Sequence, residues 1–122
     1  MVAPSKVKRG CIYWVDFDPV RGSEQGKKRP ALVVQNNLGN QTADTTIVAA
    51  ISSRVPSKQY PMHVRLDGVL QKPGIIMCEQ IRTISLDRVE SHAIAELSEE
   101  LMTRVEDALR HSLGMSQETA GI

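Results

Sequence analysis

Hydrophobic and polar positions alternate in short runs along most of the chain, and the spacing changes to a helical one only near the end. In Cys11–Phe17, Tyr13, Val15 and Phe17 share one face and Ile12 and Trp14 the other, so both faces are largely apolar. That pattern predicts a strand covered on both sides, with Trp14 as a core residue; stacking on a nucleic-acid base is its alternative use. Asp18-Pro19 ends the strand. Ala31–Val34 predicts a buried strand, with Pro30 tolerable only at its start or on an edge. Gln35 to Asp44 is polar and rich in Asn and Gly, and is expected to be a loop. Thr45–Ile51 is the most continuous strand signal and runs into Ser52-Ser53-Arg54.

In Tyr60–Leu66, Met62, Val64 and Leu66 point inward and His63 and Arg65 outward. A Lys72-Pro73-Gly74 turn opens the strand Gly74–Gln80, which Ile81–Ile84 continues. Ser85–Val89 then reads as one short helical turn, and His92–Leu97 as a short strand. Ser98 caps a helix whose Leu101, Val105, Leu109 and Leu113 recur every four residues, with Met102 and Ala108 beside them. Glu99 and Glu100 suit the positive end of its dipole and Arg110 and His111 the negative end; Gly114 stops it.

Many short strands and one terminal helix predict a mainly β fold, a small α+β domain in which an antiparallel barrel or curled sheet carries the C-terminal helix. At 122 residues, the chain is expected to form a single domain. Residues 1–8 are expected to be an N-terminal arm and residues 115–122 a disordered tail.

Composition narrows the function classes. The apolar fraction of 41% and charged fraction of 24% are those of a soluble globular protein. At 3% aromatic residues, the chain is poorly equipped to bind single strands mainly by stacking. The net charge of +1 hides an asymmetry: residues 1–90 carry 13 Lys/Arg against 8 Asp/Glu, and residues 91–122 carry 2 against 6. A basic body with an acidic end predicts one surface suited to an anion. Cys11 and Cys78 lie in apolar runs without metal-type spacing, so both are expected to be buried, reduced thiols, in keeping with a cytoplasmic location. No apolar stretch approaches membrane-spanning length, and the basic start lacks the apolar segment of a secretory signal.

The densest chemistry lies in Pro19–Pro30, where twelve residues hold four cations, a carboxylate, an amide, a hydroxyl and two glycines. One reading is an anion-binding loop, and the anion needing several cations is a nucleic-acid backbone. The other is a solvated hairpin whose charges keep a sheet edge soluble.

The run Trp14-Val15-Asp16-Phe17-Asp18-Pro19, then Gly22-Ser23-Glu24-Gln25-Gly26 and Arg29-Pro30, resembles the MazF/PemK (Kid-like) toxins of type II toxin–antitoxin systems. The similarity continues through Thr46–Ser52 and Glu79-Gln80-Ile81-Arg82-Thr83 into the terminal helix. It implies an SH3-like barrel acting as a homodimer. The implied activity is a sequence-specific endoribonuclease that cuts single-stranded RNA without a metal or other cofactor. The products are a 2′,3′-cyclic phosphate and a 5′-hydroxyl. It also implies a cognate antitoxin that is MazE-like, acidic and partly disordered; since the loop cations Arg21, Lys27, Lys28 and Arg29 suit such a segment and an RNA strand alike, its tail is expected to compete with RNA. A non-nuclease alternative on the same barrel is a CcdB-like toxin that binds and poisons DNA gyrase.

The ribose 2′-hydroxyl is the nucleophile in such a reaction. The protein must align it with phosphorus, spread the charge of a phosphorane and manage two protons. Arg29 matches the family's catalytic arginine, and its guanidinium fork fits two phosphate oxygens at once. Ser52 stands where relatives commonly carry a threonine hydroxyl, and is assigned a hydrogen bond to the scissile phosphate. Glu24 is the candidate general base; its alternative is a loop carboxylate paired with Lys27 or Lys28.

The remaining candidates are RNA-binding: Gly22, Ser23, Gln25, Lys27, Lys28, Ser53, His63, Glu79 and Gln80. Ser23 and Gln25 carry donors and acceptors for base edges, and each is also an ordinary loop residue. Glu79 and Gln80 either lie in the groove or pair across to a neighbouring strand. His92 and His111 are not assigned a catalytic role.

Overall fold

The computed structural model describes residues 7–19, 21–24 and 27–115. The strands are β1 (Cys11–Asp16), β2 (Lys28–Val33), β3 (Thr45–Ser52), β4 (His63–Leu66), β5 (Gly74–Ser85) and β6 (Ala95–Glu96). The helices are α1 (Asn37–Thr42) and α2 (Glu99–Leu113), and a 3-10 turn covers Leu86–Arg88. All strands join one antiparallel sheet in the order β4-β5-β3-β2-β1-β6, curled into a half-barrel with α2 on one face.

Strand alternation divides the core between the two faces. Tyr13, Val15, Phe17, Ala31, Val33, Val48 and Ala50 fill the inside of the curl. Ile12, Leu32, Ala49, Ile51, Val64, Leu66 and Ile76 meet Val105 and Ala108 of α2 on the other face. Ser98 accepts from the Leu101 N–H (3.2 Å) as N-cap, and Gly114 ends α2 in the left-handed region at φ 71°. Leu113 continues the four-residue spacing but is exposed, one turn beyond what the sheet covers.

The strand expected over 74–80 does continue through 84, as β5. Its register against β3 jumps between Ala49, opposite Ile81, and Ala50, opposite Met77, leaving Cys78, Glu79 and Gln80 as extra residues. An odd insertion exchanges the faces, so Ile84 joins Ile75 and Met77 in the same core.

Several expectations require correction. Within the expected loop Gln35 to Asp44, residues 37–42 form a helix, because Asn36 caps it (Gly39 N–H to Asn36 Oδ1, 2.7 Å) and Asn40 anchors it. Asn40 is buried and satisfied: its Oδ1 accepts from Thr46 Oγ1 (2.7 Å) and Gln35 Nε2 (2.9 Å), and its Nδ2 donates to the Gln35 carbonyl (3.0 Å). Residues 7 and 8, the end of the expected arm, belong to the folded part: Val7 is buried in the core and the Lys8 N–H donates to the Tyr13 hydroxyl (3.1 Å). Met115, the first residue of the expected tail, still donates its N–H to the Arg110 carbonyl (2.8 Å). The rest of that tail, residues 116–122, lies outside the described residues, as do residues 1–6. Among the described residues, no helix is long and apolar enough to cross a membrane.

Candidate active site

A groove of about 680 Å³ opens where β2 and β3 part. The ladder between them covers only Ala31–Val33 against Val48–Ala50. Pro30, next along β2, has no N–H to extend it. Past that point Arg29 and Pro30 stand on one wall and Ile51, Ser52 and Ser53 on the other. Gly74 closes one end, opposite Leu66 on β4 and beside Ser52.

Three cations, Lys28, Arg29 and Lys72, line the groove, and among the described residues no carboxylate does. Ser52 is buried, and its Oγ accepts from the Arg54 N–H (3.0 Å). A hydroxyl with one lone pair engaged keeps its hydrogen for an oxygen in the groove. Lys28 Nζ reaches Glu90 Oε2 at 3.0 Å on the surface, and that hydrogen bond raises its pKa.

Trp14 requires a further correction: it is 40% exposed and lines the groove. Its cross-strand partner is Pro30. The in-register bond of Phe17 to Lys27 makes Trp14–Pro30 a non-hydrogen-bonded pair, in which side chains approach closest. Leu70, Lys72 and Ile94 also line the groove without having been singled out. The one sequence signal among them was the Lys72-Pro73-Gly74 turn.

The other candidates lie elsewhere. Glu24 is exposed; its Oε1 accepts from the Arg21 N–H (2.7 Å) and its own N–H donates to the Arg21 carbonyl (3.1 Å). The carboxylate therefore closes a turn over 21–24 and does not pair with Lys27 or Lys28, nor does it line the groove. Gly22 and Ser23 are exposed in that turn, and Gln25 lies outside the described residues. Lys27 is exposed at φ 68°, with its N–H on Asp18 Oδ1 (2.8 Å).

His63 and Glu79 form an ion pair (2.9 Å), so Glu79 does reach across to the neighbouring strand. His63 lines a second groove beside α2, of about 330 Å³. Glu79 and Gln80, in the β5 bulge, are roughly 13–17 Å of strand beyond Ile75, the partner of Ser52. His92 meets Ser91 Oγ (3.0 Å) and His111 meets Asp107 (3.8 Å), both on the surface.

Cys11 and Cys78 are buried free thiols. Burial raises the pKa of both, with Cys78 pushed up to about 12. Among the described residues, no three His, Cys, Asp or Glu side chains gather into a group that could hold a metal ion.

Comparison with known proteins gives the site its context. The chain is 43% identical over 112 residues to endoribonuclease EndoA of Bacillus subtilis (strain 168), covering 89% of this chain and 96% of that protein. The fold superposes on MazF from Deinococcus radiodurans with a TM-score of 0.79 at 28% identity, over 91% of this chain and 99% of the other. It also superposes on an endoribonuclease in complex with its cognate antitoxin from a mycobacterial species, at TM-score 0.75 and 20% identity, covering 92% and 99%. Residues 8–113 match the family described as PemK-like, MazF-like toxin of type II toxin-antitoxin system. With a match over most of its length, and a groove opened by Pro30 between Arg29 and Ser52, the chain belongs to the MazF/PemK family of toxins.

Proposed function

We propose that this chain, an endoribonuclease toxin of the MazF/PemK family, cleaves single-stranded RNA in the groove between Arg29 and Ser52, and thereby blocks translation. The observation that carries the reading is a groove lined by Lys28, Arg29 and Lys72 with no described carboxylate, beside a hydroxyl with a hydrogen to give.

The 2′-oxygen attacks phosphorus and loses its proton, the bond to the 5′-oxygen breaks, that oxygen takes a proton from solvent water, and a 2′,3′-cyclic phosphate and a 5′-hydroxyl result. Arg29 binds the non-bridging oxygens, where negative charge grows in the phosphorane. Ser52 donates to one of them, its rotamer held by the Arg54 N–H. Lys28 and Lys72 hold flanking phosphates. Trp14 offers the exposed face on which a neighbouring base stacks. Glu24 takes the 2′-proton once the turn over 21–24 swings toward bound RNA, releasing the Arg21 N–H. Ser23 and Gln25 read base edges. Arg29 itself keeps its proton throughout.

The toxin works as a homodimer in the cytoplasm. Its partner is an acidic, partly disordered antitoxin whose tail competes with RNA for the cationic groove; a structural neighbour is solved with its cognate antitoxin. The family match favours this reading over gyrase binding.

The test is to incubate the purified protein with a long RNA in EDTA and map the 5′-hydroxyl ends by sequencing. Cleavage is expected to cluster at one short sequence, and Arg29→Ala to abolish it with the fold intact. An Arg29→Ala protein that cuts as fast as the parent overturns the mechanism.

A further inference from the structure

Two arginines outside the groove reach the end of β1, Arg82 from β5 and Arg88 from the turn just before Val89, which bridges to Val15. Arg82, on β5, donates through Nη1 to the Phe17 carbonyl (3.1 Å), and its guanidinium carbon lies 5.6 Å from the centre of the Phe17 ring. Arg88, in the 3-10 turn, donates through Nη1 to the Asp16 carbonyl (3.1 Å) and to the Asp18 carbonyl. Three successive carbonyls, 16, 17 and 18, are thus held by guanidinium groups where β1 gives way to the loop. Carbonyls leaving a strand need partners, and a charged donor is a strong one.

The same point ties down the returning chain. Phe17 donates its N–H to the Lys27 carbonyl (2.9 Å), and the Lys27 N–H donates to Asp18 Oδ1 (2.8 Å). Lys28 and Arg29 follow at once, paired with Asp16 and Val15. Phe17 is itself buried in the core, so the clamp is anchored on a packed side chain. A shift at Phe17 or Asp18 passes within two residues to the guanidinium of Arg29.

We propose that Arg82 and Arg88 are positioning residues for RNA cleavage: together they fix the neck of the 18–27 loop and, through Lys27, the place of Arg29 in the groove. They act through backbone carbonyls and not as phosphate contacts. This rests on the reading of Arg29 given above. A displacement of about 1 Å in a catalytic group can lower a rate about a hundredfold, so such a clamp is felt in turnover before binding.

The test uses the full chain as Arg82→Gln, Arg88→Gln and Arg88→Lys, with Arg29→Ala in parallel. Cleavage is measured at saturating RNA. Affinity is measured across salt concentrations with the same RNA carrying a 2′-deoxy sugar at the mapped cleavage position. The Gln variants are expected to lose about ten- to a hundredfold in rate. Their affinity should stay within about threefold, and the salt dependence of binding should be unchanged. Arg88→Lys should recover part of the rate, since its ammonium keeps the charge and the donors but ends one bond short of the nitrogen, Nη1, that serves both carbonyls.

Wild-type rates in all three variants overturn the proposal. So does a salt dependence shallower by about one released ion per cation removed, the mark of a phosphate contact. Should the Gln variants fail to fold, Arg88→Lys decides. A slower rate at the parental melting temperature supports the clamp, and a parental rate overturns it. If Arg29→Ala cuts normally, the reading of the groove fails by itself. If only the clamp variants cut normally, the clamp alone is wrong.

Discussion

Gly74 lies so close to Ser52 that a Cβ on it would come within 2.9 Å of the Ser52 carbonyl oxygen. Glycine is required there by approach, because a backbone oxygen cannot move aside as a flexible side chain can. The carbonyl belongs to the residue whose hydroxyl faces the groove, so the contact sets where β3 ends relative to β5. Gly74→Ala is expected to push the two strands apart at this point. It should destabilise the fold by about 1–3 kcal/mol and slow RNA cleavage about tenfold or more. Denaturant melts and single-turnover cleavage check the two effects separately. A variant with parental stability and rate removes this contact from the account of the site.

Lys28 enters the groove already engaged with Glu90, at 3.0 Å on the surface. An exposed pair contributes little to stability, but the carboxylate competes with phosphate for the ammonium. Glu90→Gln is expected to tighten RNA binding about two- to fivefold at low salt, and the gain should fade as salt screens the charges. Melting temperature should change by no more than a degree or two. Fluorescence anisotropy with a short 2′-deoxy-blocked RNA reads the affinity. An unchanged affinity at low salt means that Lys28 does not meet the RNA.

Cys78 is buried beneath α2, and burial pushes its thiol up to about 12, with the neighbouring Glu79 carboxylate adding to the rise. The unfolded chain releases this proton near the ordinary thiol value of about 8.5. Between those two values the folded state holds the proton and the unfolded state does not, so stability falls as pH rises. The stabilisation is complete below about pH 8.5 and declines above it by up to about 1.4 kcal/mol per pH unit. Cys78→Ala, although less stable at pH 7 because of the cavity, should show a correspondingly flatter decline from pH 9 to 11. Urea melts at each pH measure the slopes. Equal slopes in parent and variant overturn the assignment.

The architecture was largely legible in the sequence, because burial imposes periods that local residues must obey. Continuous apolar runs in Cys11–Phe17 and Thr45–Ile51 and alternation in Tyr60–Leu66 marked strands, and the Leu101–Val105–Leu109 spacing with Ser98 and Gly114 marked the helix and its ends. Asn36–Thr42 hid because its anchor is a polar network around Asn40 and not an apolar stripe, so no hydrophobic period announces it. Trp14 hid for a related reason. Ile12, its apolar neighbour on the same face, is buried, whereas Trp14 lies beside Pro30, where the β2–β3 ladder has ended.

The sequence by itself determined a curled sheet with a terminal helix and the family resemblance that singled out Arg29, Ser52 and the loop between the first two strands. Tertiary structure decided which of those residues meet. Arg29 and Ser52 face each other because Pro30 cannot carry the ladder further and Gly74 lets β5 come close. His63 and Glu79 pair with each other away from the groove, His63 opposite Met77 on β4 and Glu79 in the insertion that follows it on β5. Arg82 and Arg88 turn toward carbonyls 65 to 72 residues distant in the chain. Periods of two and 3.6 are local and leave their mark in neighbouring residues. Where a ladder stops, and which carbonyl a guanidinium finds, depend on strands brought together from across the chain, and no local pattern records them.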